Sequence, residues 1–436
     1  MQMKGNNCSM GDIAAAGPPG KGLGMGQDVA IFQSCASPPD RIFCIGGSSI
    51  KQVVLSLSDA SFPPVCNRGP GLLYRCHTVR LCARTVISPG TCMMLSQMSA
   101  TEVANRAPLG ARTDSFAFWW LITMAALVGV MVLIGGVTRL TGSGLSMVEW
   151  RPLMGTLPPL SAAEWQRVYE LYLASPEYNE FNYGMDLAGF KTIFFWEYFH
   201  RLWGRLLGLA FAIPFLVLII RGNVPNGFGG RLFALLALGG FQGVIGWWMV
   251  KSGLTADATV SQYRLAVHLG MALIILVLLL WTAFDIRYGR AALPRGHAGG
   301  TLALVFVTIL AGALVAGMDA GLLYNEYPLM GDGLVPVEYG DAGLLDAFEN
   351  PAAAQFHHRW IAALAVLAVI TLALRGRRSP ASRTPASLAL LFVLCQFVLG
   401  IAVLLHGVPV SLGAMHQTGA VLLLASLVWT AHRMPR

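Results

Sequence analysis

His200, His268, His358 and His416 each stand inside a long apolar stretch of the chain, and Glu197, Arg201, Arg205 and Arg359 stand close to them along the sequence. Imidazole is a proton carrier, a hydrogen-bonding group and a neutral metal ligand. Arginine forms charge-assisted bonds to carboxylates, and a carboxylate beside either can take up a proton or offset positive charge. None of these groups is cheap to hold in an apolar segment, so each needs a partner, a cavity or a ligand.

The elements that carry them are membrane spans. Of 436 residues, 55% are hydrophobic and 12% charged, and the mean hydropathy is +0.60. A soluble domain has about 25% charged residues. The formal net charge of +8 forms no basic stripe of the kind that binds nucleic acid, which excludes that class of partner. Eight segments reach the length a bilayer demands, at roughly 117–137, 192–220, 231–250, 264–284, 301–318, 356–374, 386–405 and 413–431. The loops after spans two, four and six hold Arg221 and Arg231, then Arg287, Arg290 and Arg295, then Arg375, Arg377, Arg378 and Arg383. The loop between spans five and six holds only acidic charges. The positive-inside rule then puts both termini on the cytoplasmic or matrix side.

The two halves repeat. FQGVIGWWMVKSG at 241–253 matches CQFVLGIAVLLHG at 395–407, pairing Gln242 with Gln396 and Gly246 with Gly400. VHLGMALIILVLLLW overlays MHQTGAVLLLASLVW, FHRLW pairs with HHRW, and WRPLMG at 150–155 recurs as EYPLMG at 326–331. Four spans per half is an even number, so the repeats are parallel. The expected fold is an all-α polytopic membrane protein of eight transmembrane helices, arranged as two parallel-repeat four-helix bundles. The expected halves are 98–290 and 291–436.

In this frame the four histidines fall on the even spans, within about two turns of the outer ends, as two equivalent pairs. Two imidazoles facing one another across a bundle are a natural axial pair for haem iron, whereas zinc would want a third or fourth ligand that the halves do not both supply. Gly204, Gly208, Gly270 and Gly419 lie near the histidines and would relieve a flat macrocycle, or serve close helix packing. Arg201, Arg205 and Arg359 suit haem propionates, or else pairing with a carboxylate or the interface; Arg139, in GGVTRLTGSG, has the same two readings. The glycines of that segment read as a helix stop. His357, His406, His77, His297 and His432 read as non-ligands.

GGVTRLTGSGLSMVEWRPLMGTLPP, FFWEYFHRLWGRLLG, LAVHLGMAL, QFHHRW and GAMHQTGA together resemble the haem A synthase family, in the class found in alphaproteobacteria and mitochondria, and the resemblance covers residues 112–433. It implies oxidation of the C8 methyl of haem O to a formyl group by successive hydroxylations. It also implies a resident haem b on His358 and His416, and the substrate haem on His200 and His268. Implied partners are haem O, membrane lipid, a haem O synthase and an electron donor, with a homo-oligomer as a further expectation and the bacterial cytoplasmic membrane, or the mitochondrial inner membrane, as the location. Some members carry two cysteines in the first outer loop; residues 93–394 here have none, so thiol-based electron input is not expected.

One asymmetry of the sequence agrees with that division. Glu197 precedes His200 by three residues, on one helix face, and the matching position before His358 is Gln355. A carboxylate in one half only suggests a catalytic role there, against the plainer reading of a Glu197–Arg201 helix pair. Two other functions share the pattern: a dihaem cytochrome that only relays electrons, which has no use for Glu197, and a proton-coupled transporter, which would place its sites nearer the midplane. Residues 1–97 hold Cys8, Cys35, Cys44, Cys66, Cys76, Cys82 and Cys92 and no periodicity. They read as a targeting segment, or as upstream of a true start at Met98, and the acids Asp12, Asp28, Asp40 and Asp59 favour the second.

Overall fold

The structure, a computed structural model, describes residues 109–149, 157–255 and 258–435, with side chains from residue 114 onward. They lie in one compact unit, Arg106–Arg436. Residues 1–97 and the first copy of the PLMG motif, at 150–155, fall outside the described residues.

Eight helices are long and apolar enough to cross a membrane, one for each expected span. They are α1 (Leu109–Leu140), α2 (Leu187–Ile220), α3 (Gly229–Gly253), α4 (Gln262–Tyr288), α5 (Gly296–Gly317), α6 (Pro351–Gly376), α7 (Arg383–Leu405) and α8 (Val410–Arg433). No strand occurs among the described residues. An apolar run with no water to bond must satisfy its backbone internally, and helix does so. The ends are set by side chains: Asp186 caps α2 through Gly189 N at 2.8 Å, and Asn350 caps α6 ahead of Pro351. The glycines after α1 stop it as expected. Gly142 takes φ +61°, which lets Ser143 N turn back to Thr138 O at 2.9 Å.

The helix pairing has the same pattern in each half. α1 packs on α2 and α4, and α3 packs on α2 and α4; likewise α5 packs on α6 and α8, and α7 on α6 and α8. Between the halves, α4 meets α5, α1 meets α8 and α4 meets α8. The largest apolar core joins Leu121, Leu232, Leu273 and Leu276 of the first half to Val421, Leu424 and Val428 of α8. A second core gathers Val305, Val369, Leu372 and Val393 around Leu423 and Leu427, so α8 buries residues in both. Outward faces stay apolar, as Leu206, Leu209, Ile213, Leu216 and Ile220 of α2 show, which suits contact with lipid tails. At the C-terminal end of α1 Arg139 ties the halves together, bonding both Asp319 oxygens at 2.9 Å and Ala316 O at 2.8 Å.

Several helices begin earlier than the expected spans, α1 at Leu109, α5 at Gly296 and α6 at Pro351 among them, and the early start of α2 bears on the site. α2 starts at Leu187, 13 residues before His200, so His200 lies more than three turns from its helix start instead of two. The extra turns are not membrane-spanning in origin. Phe190, Ile193 and Phe194 pack with Tyr172 of the loop helix Ala162–Leu173 in a small core of their own, and this packing carries the helix beyond the apolar run.

Candidate functional site

α2, α4, α6 and α8 each present one of the four histidines, and each ring rests on a glycine of the helix before it. A Cβ added at Gly135 of α1 would stand 2.9 Å from His200 Cε1, and one at Gly246 of α3 3.0 Å from His268 Cε1. In the second half the values are 3.0 Å from Gly312 of α5 to His358 and 2.9 Å from Gly400 of α7 to His416. Real Cβ contacts under 3.0 Å are essentially never seen and 3.0 Å is tighter than most, so each histidine ring packs directly against its glycine. Each half holds two of these histidine-on-glycine contacts, His200 and His268 in the first and His358 and His416 in the second. Among the described residues no group of three or more His, Cys, Asp or Glu converges on a common point.

Three of the four rings have a defined Nδ1 partner. Gln242 Nε2 lies 3.2 Å from His268 Nδ1, and Gln396 Nε2 lies 3.1 Å from His416 Nδ1. His358 Nδ1 bonds to Thr308 O at 3.1 Å. His200 Nδ1 is buried without a hydrogen-bond partner among the described residues.

Beside each α2 and α6 histidine, the neighbouring polar residues hold the loop that precedes that helix. Glu197, 2% exposed, accepts from Ser146 Oγ and Met147 N, both at 2.7 Å, and from Arg201 Nη2 at 2.5 Å. Arg201 also bonds to Met147 O at 3.2 Å. In the second half Gln355 Nε2 donates to Tyr324 O at 3.2 Å, and Arg359 donates to Tyr324 O at 2.9 Å and Leu329 O at 3.0 Å. This supplies a structural reason for the Glu/Gln asymmetry: the first loop offers an O–H and an N–H and needs an acceptor, while the second offers a carbonyl and needs a donor. The helix pair Glu197–Arg201 is present. Arg201 and Arg205 also line a cavity of about 370 Å³ beneath the first outer loop, with Met147, Pro158 and Phe194.

Above that loop network, Glu177 of the short helix Pro176–Glu180 is buried and its pKa is pushed up to about 7. Burial is the main cause and the nearby Glu197 charge adds to it, while a bond from Tyr172 and the charge of Arg139 oppose.

Of the four glycines expected to relieve a macrocycle, Gly204 lies against Met131, Gly208 faces open space, Gly270 meets Leu310, and Gly419 lies under the Gln396 carboxamide. The glycines that touch the rings are others, of which Gly246 and Gly400 were visible in the sequence as a repeat-matched pair. Gly136, next to the glycine beneath His200, lies under the carboxamide of Gln417, and Gln417 Nε2 bonds to Val132 O at 3.0 Å. The other described histidines bond elsewhere: His357 to Tyr339, His406 to Ala402 O, His297 to Thr371 and Arg375, and His432 to Asp285. His77 is outside the described residues.

A profile of the cytochrome oxidase assembly protein family matches residues 118–428. The haem A synthase of Maricaulis maris is 47% identical over 72% of this chain and 95% of its own length. That of Nitrosospira multiformis is 44% identical over 73% and 93%, and that of Paramagnetospirillum magneticum 43% identical over 79% and 99%. The resemblance read from the motifs is thereby borne out across all eight helices, and the chain belongs to the cytochrome oxidase assembly protein family.

Proposed function

We propose that this protein is a haem A synthase of the bacterial cytoplasmic membrane, oxidising the C8 methyl of haem O to a formyl group. The observation that carries the reading is the fourfold recurrence of a histidine seated on a glycine, twice in each half, inside a chain of this family. The residues fit haem. Each pair offers two imidazoles, and each ring has a glycine behind it that leaves room for close approach. Haem, when bound, supplies redox-active iron.

His358 and His416 hold the resident haem b in this proposal, and His200 and His268 hold the substrate by its iron. His358 suits retention, because Thr308 O fixes its ring and leaves Nε2 toward the pair. His200 lacks such a restraint and suits a group that must arrive and leave. Glu197 keeps Arg201 and the first outer loop over the substrate side, so its carboxylate supplies negative charge and a fixed lid together. Arg205, in the same cavity wall, is placed to meet an acidic edge of the substrate.

Purified variants test the division. His358→Ala or His416→Ala should lose resident haem b, and His200→Ala or His268→Ala should keep it while making no haem A, read by chromatography of extracted haems. Unaltered haem in all four variants would remove the ligand assignment, and extracts holding haem b but never haem A would favour an electron-relay cytochrome.

A further inference from the structure

Gln242 of α3 and Gln396 of α7 make the same contacts twice. Each carboxamide nitrogen reaches the main-chain oxygen of a histidine, Gln242 to His268 O at 3.0 Å and Gln396 to His416 O at 2.9 Å. The same nitrogen lies 3.2 Å or 3.1 Å from Nδ1 of that histidine's ring. At His416 it also stands 3.4 Å from Nε2.

A carbonyl oxygen can only accept, so the atom facing it must be the amide nitrogen. Nδ1 of His268 beside it therefore faces a donor, and a neutral ring there carries its proton on Nε2; at His416 the Gln396 nitrogen stands near both ring nitrogens, closer to Nδ1. This is the wrong tautomer for a ligand, because iron takes an unprotonated Nε2 and the ring then keeps its proton on Nδ1. The other end of each carboxamide shows what receives that proton. Gln242 Oε1 and Gln396 Oε1 are both buried with no hydrogen-bond partner among the described residues. Half a turn about the terminal bond would set each oxygen against an Nδ1–H. The turned oxygen would also face the histidine's main-chain oxygen, now 2.9–3.0 Å from the amide nitrogen, and the new bond from Nδ1–H must offset that repulsion, while the carbonyl keeps its helical bond. His358 needs no such exchange, since Thr308 O already accepts from its Nδ1.

We propose that Gln242 and Gln396 are positioning residues that turn with occupancy, donating to the ring when the site is empty and accepting from Nδ1–H once iron holds Nε2. The proposal rests on the reading of the four histidines as axial ligands.

The test is made on the purified full chain, reading haem b content per protein, its midpoint potential and its low-spin resonance. Gln396→Leu removes both states and should lower haem b content several-fold and raise the potential of what remains. Gln396→Glu accepts only, and should retain haem b at a lower potential, because a carboxylate on Nδ1–H makes the imidazole a stronger donor to ferric iron. Gln242→Leu should leave all three haem b readings unchanged and weaken binding of added haem O several-fold. Wild-type readings in both Gln396 variants would overturn the proposal. His416→Ala, prepared alongside, separates the two failures: if it loses haem b while the glutamine variants are silent, only the glutamine role falls, and if it too keeps haem b, the ligand reading falls.

Discussion

A single added methyl group is the sharpest probe of these sites. Gly312→Ala would put a Cβ 3.0 Å from His358 Cε1 and force the ring aside, so haem b content should fall, measured by the absorbance of extracted haem. Gly135→Ala makes the same intrusion on His200 and should leave haem b in place while haem A production drops. Glu197→Gln should keep haem b but lose most haem A, because the amide can no longer accept from Ser146, Met147 and Arg201 together. Normal haem A from this variant would reduce Glu197 to packing. At this scale the histidines and the Glu197–Arg201 pair were legible in the sequence, since repeat matching and helical spacing are both local. The bonds from Ser146 and Met147 were not, because they join residues about fifty positions apart. The ring-bearing glycines were hidden for another reason: a glycine in an apolar helix reads equally as packing, and only the neighbouring helix shows what fills its space.

The loop between α1 and α2 has its own stability and its own pH dependence. Phe190 is fully buried in the small core with Tyr172, so Phe190→Ala should cost about 3–5 kcal/mol locally. Limited proteolysis should then cut within residues 157–186 well before the spans are touched. Glu177, buried with its pKa raised to about 7, binds its proton more tightly in the folded loop than in the unfolded one. Its contribution is therefore complete below the ordinary carboxylate pKa and is lost as pH rises through about 7. The loop should grow more susceptible to protease between pH 5.5 and 8, by an amount on the order of 1–3 kcal/mol, and Glu177→Gln should flatten that profile. All eight spans were readable from hydropathy alone. The outer turns of α2 were not, because Lys191 interrupts the apolar run and the helix continues only through contact with a loop helix.

Across the whole molecule, the repeat predicts matched halves but not what joins them. Leu424 of α8 is buried in the core it shares with α1 and α4, so Leu424→Ala should cost about 2–5 kcal/mol. Both halves should then lose structure in one lowered thermal transition, followed by helicity and by haem release. The basic loops further predict that reporters fused at residue 222 or 290 stay cytoplasmic, and that one fused at 340 is exported. The adjacent glycines of α1 carry a consequence for paired substitutions. Gly135 lies against His200 and Gly136 against Gln417, the neighbour of His416, so one helix turn is packed against side chains of both halves at once. Substitutions at His200 and Gln417 should accordingly be epistatic, with the double variant departing from the sum of the singles, whereas a pair such as His200 and Gln396 should combine additively.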